Sequence, residues 1–169
     1  MIERQKKIKA KVDERIALAT EERGVFVVIT GNGKGKSTSG FGTVLRAIGH
    51  GQKAGVVQFI KGSKWECGEM NILKQFAVQH HVMGTGFTWE TQSTETDLAA
   101  AKVAWQKSKE MLSDETLDIV LLDEMTYMVK YGYIELDDIV EALNNRPKMQ
   151  HVLITGRACH RRLIDLADT

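Results

Sequence analysis

The feature that most constrains the fold of this chain is an apolar run, a glycine-rich loop and a helix start, all between residues 25 and 51. Residues 25–29 read VFVVI, a continuous apolar run typical of a strand buried on both faces. The loop after it has three glycines in five residues and leads to Lys36 and Ser37, which open a predicted helix of residues 36–48, ended by His50 and Gly51. A strand, a glycine loop and a helix in this order predict a phosphate-binding P-loop.

Each part of this loop suits a nucleoside triphosphate. Glycines let successive backbone N–H groups turn toward phosphate oxygens in conformations that a Cβ would resist. The helix N-terminus adds unpaired donors and its dipole, Lys36 supplies a mobile cation, and the Ser37 hydroxyl can bind Mg²⁺. We therefore expect ATP to be held by Gly31, Asn32, Gly33, Lys34, Gly35, Lys36 and Ser37.

The loop departs from the usual P-loop pattern at one position. Gly-x-x-x-x-Gly-Lys-Ser requires a glycine at position 30, where this chain has Thr30, so the loop counted from Gly31 is one residue short. An accidental turn rich in glycine and lysine is the alternative, and the flanking strand and helix argue against it. Triphosphate binding is still expected, whereas the usual placement of the γ-phosphate, and with it ordinary hydrolysis, does not follow from the pattern.

Strand and helix patterns alternate along the rest of the chain. Further strands are predicted at residues 55–60, 76–83, 117–122 and 151–155, and further helices at 95–112 and 136–143. This alternation predicts right-handed βαβ crossovers and a mainly parallel sheet, and hence an α/β, RecA-like P-loop NTPase fold with three layers. We expect one domain, 24–169, behind an N-terminal helical arm, 1–23. The apolar stripe of the arm either lies on its own domain, docks on a second subunit or closes over a site.

An apolar run at 119–122 ends in Asp123 and Glu124, the form of a Walker B strand. A carboxylate at this place lies beside a P-loop and can hold Mg²⁺ or its waters. The sequence does not divide the roles between Asp123 and Glu124, and an exposed acidic pair at a strand end is the alternative. Because the same chain has a P-loop, we take both residues as candidate metal ligands.

In a parallel α/β sheet, the segments that follow the strands line the ligand crevice. Two such segments of this chain therefore contain further candidate binding residues. Phe87 and Trp89 stand in the segment GTGFTWET, where packing against the core and contact with a flat ligand are both open. Arg157 follows the fifth predicted strand, where it either reaches phosphate oxygens or forms a surface ion pair.

Composition argues against several classes of protein. A net charge of +1 gives no general affinity for nucleic acid or an anionic membrane, and no apolar run approaches the ~18 residues of a membrane span. The charged N-terminus lacks the apolar region of a secretory signal. Cys67 and Cys159 stand far apart with no CxxC pair, so neither a zinc site nor a disulfide is predicted, and we expect a cytoplasmic protein.

Several motifs, taken together and in order, are similar to those of one family. They are GNGKGKS, VVQFIKG, GTGFTWET, VLLDEMTYMVKYGY, LNNRP and ITGRACHRRLIDLADT. The chain closely resembles the P-loop type of ATP:corrinoid adenosyltransferase from about residue 3 to its last residue. The resemblance implies transfer of the 5′-deoxyadenosyl group of ATP to the cobalt of a Co(I) corrinoid, such as cob(I)alamin, with release of triphosphate. In this family ATP lies in an unusual orientation that presents C5′, which would explain the short loop.

The resemblance also implies roles for particular residues. It places Mg²⁺ (or Mn²⁺) near Ser37 and Glu124, with Asp123 beside them, and the corrinoid against Phe87 and Trp89, which help to remove its lower axial ligand. The residues implied for catalysis are Lys36, Phe87, Trp89 and Glu124. The residues implied for the nucleotide outside the loop are Thr38, Arg46 and Arg157. The resemblance further implies a homodimer and a reduced flavoprotein, such as flavodoxin, as the electron donor.

Two alternatives stay open at this point. One is a RecA-like ATPase or kinase in which Glu124 activates water or a hydroxyl, and the other is an inactive protein that binds a nucleotide or a corrinoid.

The chain stops at Thr169, whereas members of the family continue for a short stretch that contains glycine. If the chain is the whole product, we expect loss of this stretch to affect the corrinoid cover and to affect nucleotide binding least.

Overall fold

In the computed structural model, which describes residues 2–62, 67–84 and 94–169, strands and helices alternate along the chain as predicted. The strands are β1 (Phe26–Thr30), β2 (Ala54–Gly62), β3 (Gln79–Gly84), β4 (Ile119–Asp123) and β5 (His151–Gly156). The helices are α1 (Ile2–Leu18), α2 (Lys36–Gly49), α3 (Gly68–Leu73), α4 (Thr94–Leu112), α5 (Thr126–Lys130), α6 (Leu136–Asn144) and α7 (Arg161–Leu166).

The described strands form a parallel sheet in the order β1-β5-β4-β2-β3. Every residue of the central strand β4 is buried, because helices cover both faces of the sheet. Its alternate residues enter opposite layers: Val120 and Leu122 pack with residues of α4 and α6, whereas Ile119 and Leu121 pack with residues of α2 and α3. This three-layer α/β architecture confirms the predicted fold class.

The order of the strands positions the segments of interest. The glycine loop follows β1, the acidic pair ends β4, and β5 lies between these two strands. Because the strands run parallel, their carboxyl ends lie at one edge of the sheet. The loop, the acidic pair and the segment after β5 are therefore neighbours in space.

The N-terminal helix α1 ends at Leu18, before the predicted end of the arm at 23. Its apolar stripe is exposed within this chain, with Ile8, Val12 and Ile16 accessible to 53%, 47% and 66%. The stripe thus does not pack on the described part of its own domain.

Two local features differ from the prediction. Strand β3 begins at Gln79 and not at 76, because Phe76 closes a turn after α3 by donating its N–H to the Leu73 carbonyl at 3.0 Å. The short helices α3, α5 and α7 are not predicted from the sequence. Each has only five or six residues, so a 3.6-residue apolar period has no room to show.

The residues after α7 bind the edge strand β1. Asp168 accepts hydrogen bonds from the Arg23 guanidinium at 2.8 and 2.5 Å and from the Phe26 N–H at 2.8 Å. The Val28 N–H donates to the Thr169 carbonyl at 2.9 Å. Chiefly because of the hydrogen bond from Arg23, the pKa of Asp168 falls to about 2.

Candidate functional site

Charged side chains from four segments meet at the carboxyl edge of the sheet. Glu124 directly follows β4, and Lys36, Lys61 and Arg157 lie close enough to favour its ionised form. Lys36 opens α2, Lys61 lies near the end of β2, and Arg157 follows β5. Residues far apart in the sequence thus form one cluster beside the glycine loop.

The glycine loop has the backbone that an anion site requires. Gly31 and Gly35 have φ values of 126° and 98°, which a residue with a Cβ rarely adopts, and Gly35 directly precedes the first residue of α2. The first turn of α2 contains no acidic residue. Its unpaired N–H groups and the helix dipole therefore favour a bound anion. The Lys36 ammonium donates to the Gly33 carbonyl at 2.5 Å, which holds the cation over the loop.

The remaining residues of this region lie where the pattern places them. Asn32, Lys34 and Thr38 are exposed, and Ser37 is half-buried in the first turn of α2. Thr30, which stands where the usual pattern has glycine, is the last residue of β1, and its hydroxyl accepts a hydrogen bond from the Cys159 N–H at 3.4 Å. The position missing from the loop is therefore occupied by a strand residue.

Asp123 is completely buried and is surrounded by polar partners. Its Oδ1 accepts a hydrogen bond from the Thr155 hydroxyl at 2.7 Å, and its Oδ2 accepts one from the Gln58 amide at 3.3 Å. The Lys61 Nζ lies 3.6 Å from the same Oδ2. Both carboxylate oxygens of Asp123 thus have protein partners.

Glu124 has a different environment from its neighbour. Its φ of 59° lies in the left-handed region, and its N–H donates to the Thr155 hydroxyl at 3.0 Å. Its Oε2 is buried and has no hydrogen-bond partner among the described residues. Burial, followed by the charge of Asp123, raises the pKa of Glu124, and the three nearby cations oppose this shift. A strained residue with an unpaired buried oxygen is typical of a functional position.

The last residue of β5 approaches the first residue of α5 very closely. Gly156 has a φ of 141°, and a Cβ at this position would lie 2.0 Å from the Thr126 Oγ1. The Thr126 hydroxyl donates to the Arg157 carbonyl at 2.8 Å, which fixes the backbone of this arginine beside the acidic pair.

Not every residue predicted for the site comes to this edge. Arg46 lies in the last turn of α2, so the ~1.5 Å rise per residue puts it about 15 Å along the helix from Lys36. Phe87 and Trp89 lie outside the described residues.

In the described ranges, no group of three or more His, Cys, Asp and Glu side chains is placed to hold a metal ion. No described helix is long and apolar enough to cross a membrane.

Sequence reasoning missed three polar residues of the site: Gln58, Lys61 and Thr155. Gln58 is buried in the otherwise apolar stretch 54–60 of β2 and is paired with Asp123 in the register of β2 and β4. A lone amide in an apolar run was the available signal for it, because a buried polar group needs a partner. Thr155 and Lys61 gave no such signal, since each stands at the end of a strand, where polar residues are ordinary.

Comparisons with known proteins agree on one family. The family model described as ATP:corrinoid adenosyltransferase BtuR/CobO/CobP matches residues 22–169. A corrinoid adenosyltransferase of Escherichia coli K12 is 58% identical over 167 residues, which cover 99% of this chain and 85% of that protein. The corrinoid adenosyltransferase CobA of Salmonella typhimurium LT2 has the same identity and coverage. A corrinoid adenosyltransferase of Pseudomonas aeruginosa is 50% identical over 169 residues, covering 99% of this chain and 83% of that protein. The chain, with its glycine loop and acidic strand, therefore belongs to the ATP:corrinoid adenosyltransferase family.

Proposed function

We propose that this chain transfers the 5′-deoxyadenosyl group of ATP to the cobalt of a Co(I) corrinoid and releases triphosphate. The observation that carries the proposal is the convergence of an anion-binding loop, an acidic pair and three cations at one edge of the sheet. Membership of the adenosyltransferase family supports the same activity. The alternative activities, an ATPase or an inactive binding protein, have no observation in their favour.

The chemistry explains why the site can work without an activated nucleophilic side chain. Co(I) donates an electron pair to C5′, so that a cobalt–carbon bond forms and the cobalt becomes formally Co(III). The bond between C5′ and the bridging oxygen breaks, and triphosphate leaves with the bonding pair. The protein has to align C5′ with the cobalt, stabilise the leaving triphosphate and exclude water.

The glycine loop and the cations near it would stabilise the leaving triphosphate. The backbone N–H groups of residues 31–37 and the Lys36 ammonium would bind the phosphate oxygens. Arg157 would add a planar guanidinium, because its backbone is fixed next to the acidic pair. Thr38, in the first turn of α2, would contact the same anion.

The residues at the edge of the sheet fit a divalent cation such as Mg²⁺ or Mn²⁺. Glu124 has a buried oxygen with no partner among the described residues, and carboxylate and hydroxyl oxygens are the ligands that Mg²⁺ prefers. Glu124 and Ser37 would therefore hold the ion, whereas Asp123 already has a partner on each oxygen. When bound, the ion neutralises part of the charge on the triphosphate.

The corrinoid, the arm and the electron donor complete the proposal. Phe87 and Trp89 would face the corrinoid, as in the family that the chain resembles. The exposed stripe of α1 is consistent with a homodimer in which this arm covers an active site. The free thiols of Cys67 and Cys159 fit a reducing cytoplasm, where a reduced flavoprotein such as flavodoxin would supply electrons.

One anaerobic incubation of the chain with ATP, Mg²⁺ and chemically generated cob(I)alamin tests the function. We expect adenosylcobalamin, followed by its absorption spectrum, and triphosphate in equal amounts. ADP with phosphate would instead show an ATPase, and ATP binding without either product would show an inactive protein. Lys36→Ala should abolish turnover, whereas Lys53→Ala, which removes the same charge at the opposite edge of the sheet, should not.

A further inference from the structure

Lys61 is a cation of the site that comes from β2 and is not part of the glycine loop. The pairing of β2 with β3 shifts register between Gln58 and Gly62, and Ile60 within this irregularity has a φ of 66°. Ile60 is nevertheless buried in the core, so the left-handed backbone does not arise from a free loop. Bulges of this kind redirect the following side chain and are frequent beside active sites. The irregularity thus sets the direction of Lys61.

The Lys61 ammonium lies close to both carboxylates of the acidic pair. It is 3.6 Å from the buried Asp123 Oδ2, which is too long for a hydrogen bond, and its charge also favours the ionised form of Glu124. Its side chain keeps 29% of its surface exposed, whereas Asp123 is completely buried. Each Asp123 oxygen accepts one hydrogen bond, from Thr155 or from Gln58, and Lys61 interacts with Asp123 by charge at 3.6 Å.

This arrangement suits a cation that receives an incoming anion. A lysine serving only as the counter-charge of a buried carboxylate is expected to donate a hydrogen bond to it, because an unpaired buried charge is costly. Lys61 instead keeps part of its side chain exposed, and together with Lys36 and Arg157 it lies close enough to Glu124 to favour the ionised form of that carboxyl. Breaking the bond between C5′ and oxygen adds negative charge to the triphosphate, which such a cation would stabilise.

We propose that Lys61 is a further triphosphate-binding cation, which acts together with Lys36 and Arg157 on the leaving group of ATP. Asp123 then acts as a positioning residue that holds Lys61 in reach of the phosphates. The inference rests on the proposed function for its chemistry. The test measures only the binding of triphosphate. The proposed role of Lys61 can therefore fail while the adenosyl transfer holds, and the adenosyl transfer can fail while Lys61 still binds triphosphate.

The test compares the affinity of variants for inorganic triphosphate in the presence of Mg²⁺, measured by isothermal titration calorimetry. Lys61→Gln keeps a polar side chain but removes the charge, and it should weaken binding about 10- to 100-fold, the size of a charged hydrogen bond. Lys61→Arg should restore most of the affinity. Lys53→Gln is the matched control, because Lys53 precedes the same strand at its opposite end and is exposed.

A purely structural role predicts a different pattern. Lys61→Gln would then lower the melting temperature but bind triphosphate as tightly as Lys53→Gln, and this result would overturn the proposal. If Lys61→Gln does not fold, nitrogen-15 NMR of the lysine ammonium groups in the unmodified chain distinguishes a triphosphate-binding role of Lys61 from a purely structural one. Magnesium triphosphate should shift the Lys61 signal and leave that of Lys53 in place, and an unmoved Lys61 signal would refute the inference.

Discussion

Replacement of Gly156 by alanine should destabilise the protein by two separable costs. The φ of 141° belongs to a region that residues with a Cβ avoid, which costs about 1–3 kcal/mol. The added methyl group would lie 2.0 Å from the Thr126 Oγ1, and relief of this overlap by repacking costs about 1–3 kcal/mol more. The free energy of unfolding should therefore fall by about 2–6 kcal/mol, with about 2–4 °C lost in Tm for each kcal/mol.

A double-mutant cycle separates these costs. Thr126→Ala removes the overlapping oxygen and also its hydrogen bond to the Arg157 carbonyl, which is worth about 1 kcal/mol. Thr126→Ala should therefore be harmful in the parent chain but neutral or helpful beside Gly156→Ala, with a coupling energy of about 1–3 kcal/mol. Gly132→Ala is the control for the backbone cost alone, since its φ is 68° and a Cβ there meets nothing within 4 Å.

Urea denaturation followed by circular dichroism gives the free energies of unfolding for this set of variants. Two results would refute the reasoning. One is additivity of Gly156→Ala and Thr126→Ala within about 0.5 kcal/mol, since non-interacting sites behave in this way. The other is a Gly156→Ala variant no less stable than Gly132→Ala.

Three further predictions concern charge and the corrinoid. Because the pKa of Glu124 is raised above its ordinary 4.5, its ionised form destabilises the folded protein at neutral pH. Glu124→Gln should thus raise the Tm of the ligand-free chain and reduce the dependence of ATP affinity on Mg²⁺; unchanged Mg²⁺ dependence would contradict its role. The pKa of Asp168 is lowered from 3.8 to about 2, so its stabilising effect is complete above pH 3.8 and is lost as the pH falls toward 2. Asp168→Asn should lower Tm at neutral pH, by a difference that shrinks on acidification, and a constant difference would argue against the ion pair with Arg23. Trp89→Ala should slow the reaction with cob(I)alamin at unchanged ATP affinity, and an equal loss of ATP binding would be inconsistent with a corrinoid contact.

Local patterns were sufficient for the parts of the fold that depend on neighbouring residues. The apolar run before Gly31 became β1, and the helix predicted from Lys36 is α2, because strand, turn and helix signals all lie within one short stretch. The central strand β4 was equally clear, since a parallel strand buried on both faces is apolar throughout. The sequence also placed Glu124 at its end.

The different environments of Asp123 and Glu124 depend on contacts that no local sequence pattern encodes. Asp123 and Glu124 are adjacent and chemically alike, yet one has its oxygens satisfied and the other has a buried oxygen without a described partner. The difference comes from the register of β4 against β2 and from the position of Thr155 beside both residues. Strand register follows from the packing of the whole sheet, so reasoning on one segment at a time does not reach it.

The hydrogen bonds around Asp123 also bear on how the chain acquires its nucleotide. They join β2, β4 and β5 through partners 65 and 32 residues apart in the sequence. Because contacts between such distant segments form only when these strands pair, the polar network around Asp123 is complete only in a chain whose sheet is assembled. ATP then binds only chains whose sheet is assembled, and at 100 times its Kd it would add about 2.7 kcal/mol to their stability. The substrate thus draws the folding equilibrium toward the state that can use it.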